Sequence, residues 1–151
     1  DLVRSRGLGD VYKRQMQGWP MDPGMARAGA ELGLALGGHE ARQVTGRMIA
    51  NTAAVVVFGP EHRAWMRQEF PEHMGRVLAI GQVARGLGML PRNRRLPLTQ
   101  VVEAVTSGAP RIVDTDWIED PYGYDDRVKM ICAKRILAAV DILATRVDWG
   151  D

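Results

Sequence analysis

The string IVDTDWIEDPYGYDD places six carboxylates between Asp114 and Asp126, around one proline. Pro121 biases Asp120 away from the α region, which fixes the backbone carrying that carboxylate, and Tyr122 sets an aromatic ring beside it. The pattern fits a general acid held against an aromatic wall. On pattern alone it fits better a capped turn before a helix, with Asp125 as N-cap. A calcium loop would need oxygen ligands at its first, third and fifth positions and glycine at the sixth. Asp114 and Asp116 meet the first two conditions, but Ile118 and Glu119 occupy the next two places.

The other reactive residue types are dispersed. His39, His62 and His73 show no zinc-ligand spacing, Pro71 separates the last two, and the single cysteine, Cys132, is remote in the chain, so no metal site is expected. Cys132 falls at an inward helical position and reads as a packing residue. Arg92, Arg94 and Arg95 could meet phosphates, but no aromatic is interleaved for stacking, and a solvated loop is the expectation.

Charge supports that reading. The chain has 151 residues, 46% hydrophobic and 25% charged, with a formal net charge of +2, which suits one globular domain. The basic excess lies in the first fifteen residues, where Arg4, Arg6, Lys13 and Arg14 face Asp1 and Asp10. Removing those four and two from the totals of 20 and 18 leaves 16 of each sign. No nucleic-acid partner is therefore expected. Ser5 to Gln15, SRGLGDVYKRQ, resembles the in-frame translation of a transposase-based sequencing adapter, so residues 1–15 are expected to be a non-native leader and residues 16–151 the domain. No apolar run reaches membrane-spanning length and no signal-like h-region follows a basic start, which predicts a cytoplasmic protein with no membrane partner. One cysteine excludes an intramolecular disulfide.

The elements that must position these residues read as α/β. Asp22-Pro23 is an N-cap with proline at the first helical position, and Met25, Ala28, Leu32 and Leu36 follow at helical spacing up to Gly37-Gly38. Thr45 caps a short turn through Asn51. Ala53 to Phe58 is a continuous apolar, β-branched run closed by Gly59-Pro60, as in a strand buried on both faces. Pro60 opens a helix to Glu69 with Trp65 and Met66 inward. Arg76 to Ile80 reads as a second strand, Gly86 to Pro97 as an exposed loop, and Leu98 to Thr106 as a helix. A last helix carries Val128, Ile131, Cys132, Ile136, Ala139, Leu143 and Val147 at a 3.6-residue period. Two strands are few for a doubly wound sheet.

Taken in order, WPMDP at 19–23, HEARQVT at 39–45, the VVVF strand, EHR at 61–63 and IEDPYG at 118–123 resemble the low-molecular-weight protein tyrosine phosphatases, over Trp19 to about Val147. The resemblance implies hydrolysis of phosphotyrosine or a small aryl phosphate through a cysteinyl-phosphate intermediate, with no cofactor. Asp120 then corresponds to the general acid and Tyr122 to the aromatic pocket entrance. Trp19 corresponds to the pocket rim, and His39 to a residue supporting the phosphate loop. The family's Cys-x5-Arg loop is missing: six residues after Cys132 stands Ala138. In the family that loop precedes the WPMDP-like segment, so this chain resembles a truncated remnant of a parallel four-stranded sheet of order 2-1-3-4, without the first strand, the first helix or the nucleophile. The strand at Ala53 to Phe58 would then lose its central neighbour and expose an aggregation-prone edge. An arsenate reductase of the same fold and a non-catalytic interaction module are the alternatives. Oligomeric state is left open.

Overall fold

A computed structural model describes residues 17–150; the leader expected at residues 1–15 lies outside the described residues. The chain opens with α1, Pro23–Glu31, whose first turn is capped by Asp22 accepting the Met25 amide at 3.0 Å. The helical spacing predicted to Leu36 overruns the helix. After Leu32 the backbone turns through Gly33 at φ +80°, and Leu36 folds back over Gly29, where a Cβ would collide with it. Thr45 caps α2, Gly46–Ala50, by accepting the Met48 amide at 3.3 Å. Arg76 closes the far end of α2, donating to the Ile49 and Thr52 carbonyls at 3.1 and 2.8 Å.

The apolar run forms β1 only over Val55–Val57, followed by α3, Pro60–Glu69, a 3-10 turn over Pro71–Arg76, and β2, Val77–Ala79. Burial of β1 on both faces is not realised, since Val57 is buried while Val55 and Val56 are only partly so. Ile80, expected to end the second strand, instead begins α4, Ile80–Gly88. That helix takes up the start of the expected Gly86 to Pro97 loop. The end of the loop becomes β3, Leu96–Pro97. A 3-10 turn over Leu98–Gln100 leads into α5, Val101–Gly108, and a second at Asp114–Asp116 precedes α6, Asp126–Arg146, and β4, Val147–Asp148.

β1 pairs in parallel with β2, Val55 opposite Val77 and Val57 opposite Ala79, and β3 pairs in parallel with β4 through Leu96 and Val147. The described residues thus form an α/β arrangement with two small, separate parallel sheets; a four-stranded sheet is not among them. No described helix is long and apolar enough to cross a membrane. On α6, Cys132 and Ala139 face the core as the period predicts, but Val128 and Ile131 are exposed. A 21-residue helix drifts around its own axis relative to the elements beneath it, so one apolar stripe does not stay inward throughout.

The largest core cluster joins β2, α4, α5 and the second sheet through Leu78, Leu87, Val105 and Val147. The two helices approach closely because glycine stands at both contact points. A Cβ on Gly86 would meet the Val105 carbonyl oxygen at 2.7 Å, and one on Gly108 the Gly86 carbonyl oxygen at 2.8 Å. Gly86→Ala is therefore expected to destabilise by about 1–3 kcal/mol although alanine is the better helix former by ~1 kcal/mol. Gly88→Ala, with open space around it, is expected to stabilise by a few tenths to about 1 kcal/mol. Urea midpoints of the two variants check the contrast, and equal effects would refute the close crossing.

Candidate functional site

The segment carrying Asp120 is fastened from three sides. Ile118 donates its amide to the Phe58 carbonyl at 2.9 Å, extending the chain's contact with the C-terminal end of β1. Arg135 on α6 donates to the Thr115 and Trp117 carbonyls, both at 3.1 Å. Asp116 is buried and gripped by Arg85 of α4 through two bonds of 2.8 Å, Nε to Oδ1 and Nη2 to Oδ2. This is the role of the second of the two aspartates weighed above as calcium ligands: its carboxylate serves an ion pair. Burial alone would raise the Asp116 carboxyl, but the Arg85 hydrogen bonds, the Val113 amide and the Arg85 charge outweigh it and hold the group below the ordinary carboxylate range.

Beyond these anchors the tip turns back on itself. Asp120 Oδ1 accepts the Tyr122 amide at 3.0 Å, closing a small ring around Pro121. Tyr124 donates its amide to the Pro121 carbonyl at 3.1 Å, with Gly123 between them at φ +82°, where a side chain would be strained. The Tyr124 hydroxyl donates to Glu119 at 2.9 Å, which pushes the phenol up. Asp125 accepts the Val128 amide at 3.0 Å and starts α6 as expected. The general-acid and capped-turn readings therefore fall on different residues: Asp125 caps, and Asp120 is left at the tip with no ion-pair partner among the described residues.

Asp120 and Tyr122 stand on the wall of a cavity of about 410 Å³, between α1, the end of β1 and α6, whose other sides include Met25, Phe58, His62 and Cys132. The wall is largely apolar with a few polar groups, as small-molecule sites usually are. Trp19 and His39 are not on this wall. Trp19 is 54% exposed on the segment leading to Met21, joined to the strip before α2 by its carbonyl accepting the Ala41 amide at 2.9 Å. His39 is exposed on that same strip.

Two residues of the cavity, His62 and Asp22, were given no place in the site by the sequence reading. His62 stands on the first turn of α3, where its Nδ1 accepts the Gly59 amide at 3.1 Å and its Nε2 lies 3.6 Å from Glu61. Its motif, Gly-Pro-Glu-His, reads as a helix start, and the ring is turned to the cavity by capping. Asp22 was legible as the cap of α1, but it also pairs with Lys129 of α6 at 3.0 Å, and that hydrogen bond leads the lowering of its carboxyl. The pair ties α1 to the last helix and so sets one wall of the cavity.

Cys132 is buried at 6% exposure, and desolvation pushes its thiol up, opposed by Arg135 and reinforced by the Asp120 charge. A thiol held in its protonated form is a poor nucleophile. Iodoacetamide at pH 8 is expected to modify Cys132 roughly tenfold or more slowly in the folded chain than in urea. Equal rates would show that the thiol is open and ionised. Comparison with protein-family models, with curated proteins and with solved structures finds no match to this chain.

Proposed function

We propose that this chain is the larger part of a low-molecular-weight phosphatase-like domain that hydrolyses aryl phosphate monoesters, phosphotyrosine among them. In the complete protein a cysteine thiolate attacks phosphorus, the aryl oxygen leaves, and Asp120 gives that oxygen its proton; water then cleaves the thiophosphate. Tyr122 lines the entrance against the aryl ring, with Trp19 at the outer rim and His39 behind the phosphate loop. β1 and β2 take the third and fourth places of the sheet in the order 2-1-3-4. The chain as written holds the acid and not the nucleophile, so by itself it is inactive.

The observation that carries this reading is the position of Asp120: at the C-terminal end of β1, on a cavity wall, beside an aromatic side chain and without a cation. Open parallel sheets bind ligands at that end of their strands. The parallel pairing of β1 with β2 supports the proposed strand places. Cys132 supplies no substitute nucleophile, because it is buried with its thiol pushed up, and the same fact weighs against thiol-exchange chemistry in a reductase.

The test begins with the source DNA upstream of the Met16 codon, read from a library made without transposase adapters. The expected result is an in-frame strand followed by Cys-x5-Arg. In the protein so extended, Asp120→Asn is expected to lower kcat on phenyl phosphate by roughly 10²–10⁴-fold, and less on p-nitrophenyl phosphate, whose leaving group needs less help. An upstream sequence that keeps DLVRSRGLGDVYKRQ and encodes no such loop would overturn the proposal. So would an active enzyme indifferent to Asp120→Asn on both esters.

A further inference from the structure

A cavity of about 610 Å³ lies on the β2 side of the first sheet, bounded by Val77 and Leu78 and by no residue of β1. It shares no residue with the cavity beside Asp120. The charge on its walls has one sign: Arg63 of α3 and Arg111, after α5, border it, and no carboxylate does. Neither guanidinium has an ion-pair or hydrogen-bond partner among the described residues. Arg67 stands one turn further along α3 from Arg63, and like charges at that spacing repel. The Arg63 Nε is closed off from solvent and bonds to nothing, and a buried donor left unmet costs free energy. Burial, and after it the Arg67 charge, push the Arg63 guanidinium down from its ordinary value. Positive charge is disfavoured there until an anion meets it.

We propose that this cavity binds a small aromatic oxyanion, a carboxylate or its phosphonate counterpart, with the charged group on Arg63 and Arg111 and the ring against Met74, Ile112 and Trp117. A guanidinium offers paired N–H groups that match two oxygens of either acid. Met74, Ile112 and Trp117 supply apolar and aromatic surface on the same walls, and Trp117 is steadied by its packing on the cluster of Val57, Met66 and Val77. Such a mixture of apolar surface with a few convergent polar groups, in a volume of this order, suits a small molecule. Two arginines without an acid turn a cation away. The inference stands independently of any phosphate chemistry at Asp120, because the two cavities have separate walls.

The test titrates the full chain with naphthylacetate, naphthylmethylphosphonate and the neutral naphthylacetamide by calorimetry, with hydrogen exchange read by mass spectrometry. The expected result is saturable binding of at least one acid, slowed exchange at residues 74–78 and 110–112, and binding of the amide roughly tenfold weaker or less. The tighter of the two acids identifies the headgroup. Arg63→Gln is expected to weaken the acids roughly tenfold, and Arg111→Gln, at an exposed position, about two- to fivefold, neither changing the amide. The urea midpoint of Arg63→Gln is expected to hold or rise, since the substitution removes an unpaired charge. Equal binding of acids and amide, no saturation up to about 10 mM, or affinities that neither variant changes would overturn the proposal. Slowed exchange at residues 118–122 instead would assign the anion to the cavity beside Asp120 and overturn it. Tighter binding of the acidic peptide acetyl-Glu-Glu-Trp-Glu-amide than of either acid would overturn it too, by assigning the arginines to a protein partner.

Discussion

Arg85→Ala is expected to lower stability by about 3–5 kcal/mol at pH 7.5, the usual cost of removing one partner from a buried ion pair. The Asp116 side chain is 1% exposed while Arg85 is 42% exposed, so the loss is not symmetric. Without Arg85 the Asp116 carboxylate keeps only the Val113 amide at 2.9 Å and stays buried with its charge. Without Asp116 the guanidinium can turn to water, keeping its bond to the Arg111 carbonyl, so Asp116→Asn is expected to cost only about 1–2 kcal/mol.

The pH dependence follows from the same geometry. Asp116 is held below its ordinary value in the folded chain, so the pair's contribution is present above the unfolded value of about 3.9 and is lost as pH falls through the folded one. In Arg85→Ala, burial is no longer outweighed and the carboxyl moves up. The variant can then shed its buried charge by taking a proton, so its deficit is expected to shrink from pH 7.5 to pH 5, where the unmodified chain still keeps the pair. Urea midpoints of both variants at the two pH values measure this. A deficit below about 1 kcal/mol, or one that does not change with pH, would show that the pair does not hold the Asp120 segment.

How much of this was legible in the sequence depends on how local each cause is. Asp22, Thr45 and Asp125 cap the helices expected of them, because a cap is a contact across three residues. α4 was not legible. Its sequence, IGQVARGLG, has three glycines in nine residues, and propensity argues against a helix there. Two of those glycines are required by contacts remote in the chain: a Cβ on Gly81 would strike the Asp116 backbone, meeting its carbonyl oxygen at 2.8 Å, and Gly86 meets Val105. Gln82 is buried for the same kind of reason, its amide bridging the Ala79 N–H and the Ala109 carbonyl. The second sheet, two residues per strand and joining Leu96 to Val147, leaves no periodic trace at all. In the candidate site, Asp120 and Tyr122 stood out because proline and aromatic flank the acid. His62 did not, since what turns it to the cavity is the fold of Gly59 and α3 around it.

Leu87→Ala is expected to cost about 2–5 kcal/mol, the range for truncating a leucine in a packed core. Leu87 has no exposed surface and belongs to the cluster that joins β2, α4, α5 and both strands of the second sheet. Neither two-stranded sheet is stable alone, so the pairing of Leu96 with Val147 rests on the side chains beneath it, and Leu87 is the largest side chain that α4 places there. The loss is a large share of the 5–15 kcal/mol that holds a domain of this size folded. Ile131→Ala removes a larger aliphatic side chain than a methyl group from a helix, yet at 53% exposure it is expected to change stability by no more than about 0.5 kcal/mol. Thermal and urea unfolding of both variants, with hydrogen exchange at residues 147–148, separates the cases. In Leu87→Ala the amides of β4 should exchange faster before global unfolding, because the cavity lies under that sheet. If Ile131→Ala proves the more damaging substitution, α6 packs through the other stripe, and the wall that carries Cys132 beside Asp120 is turned away from the cavity.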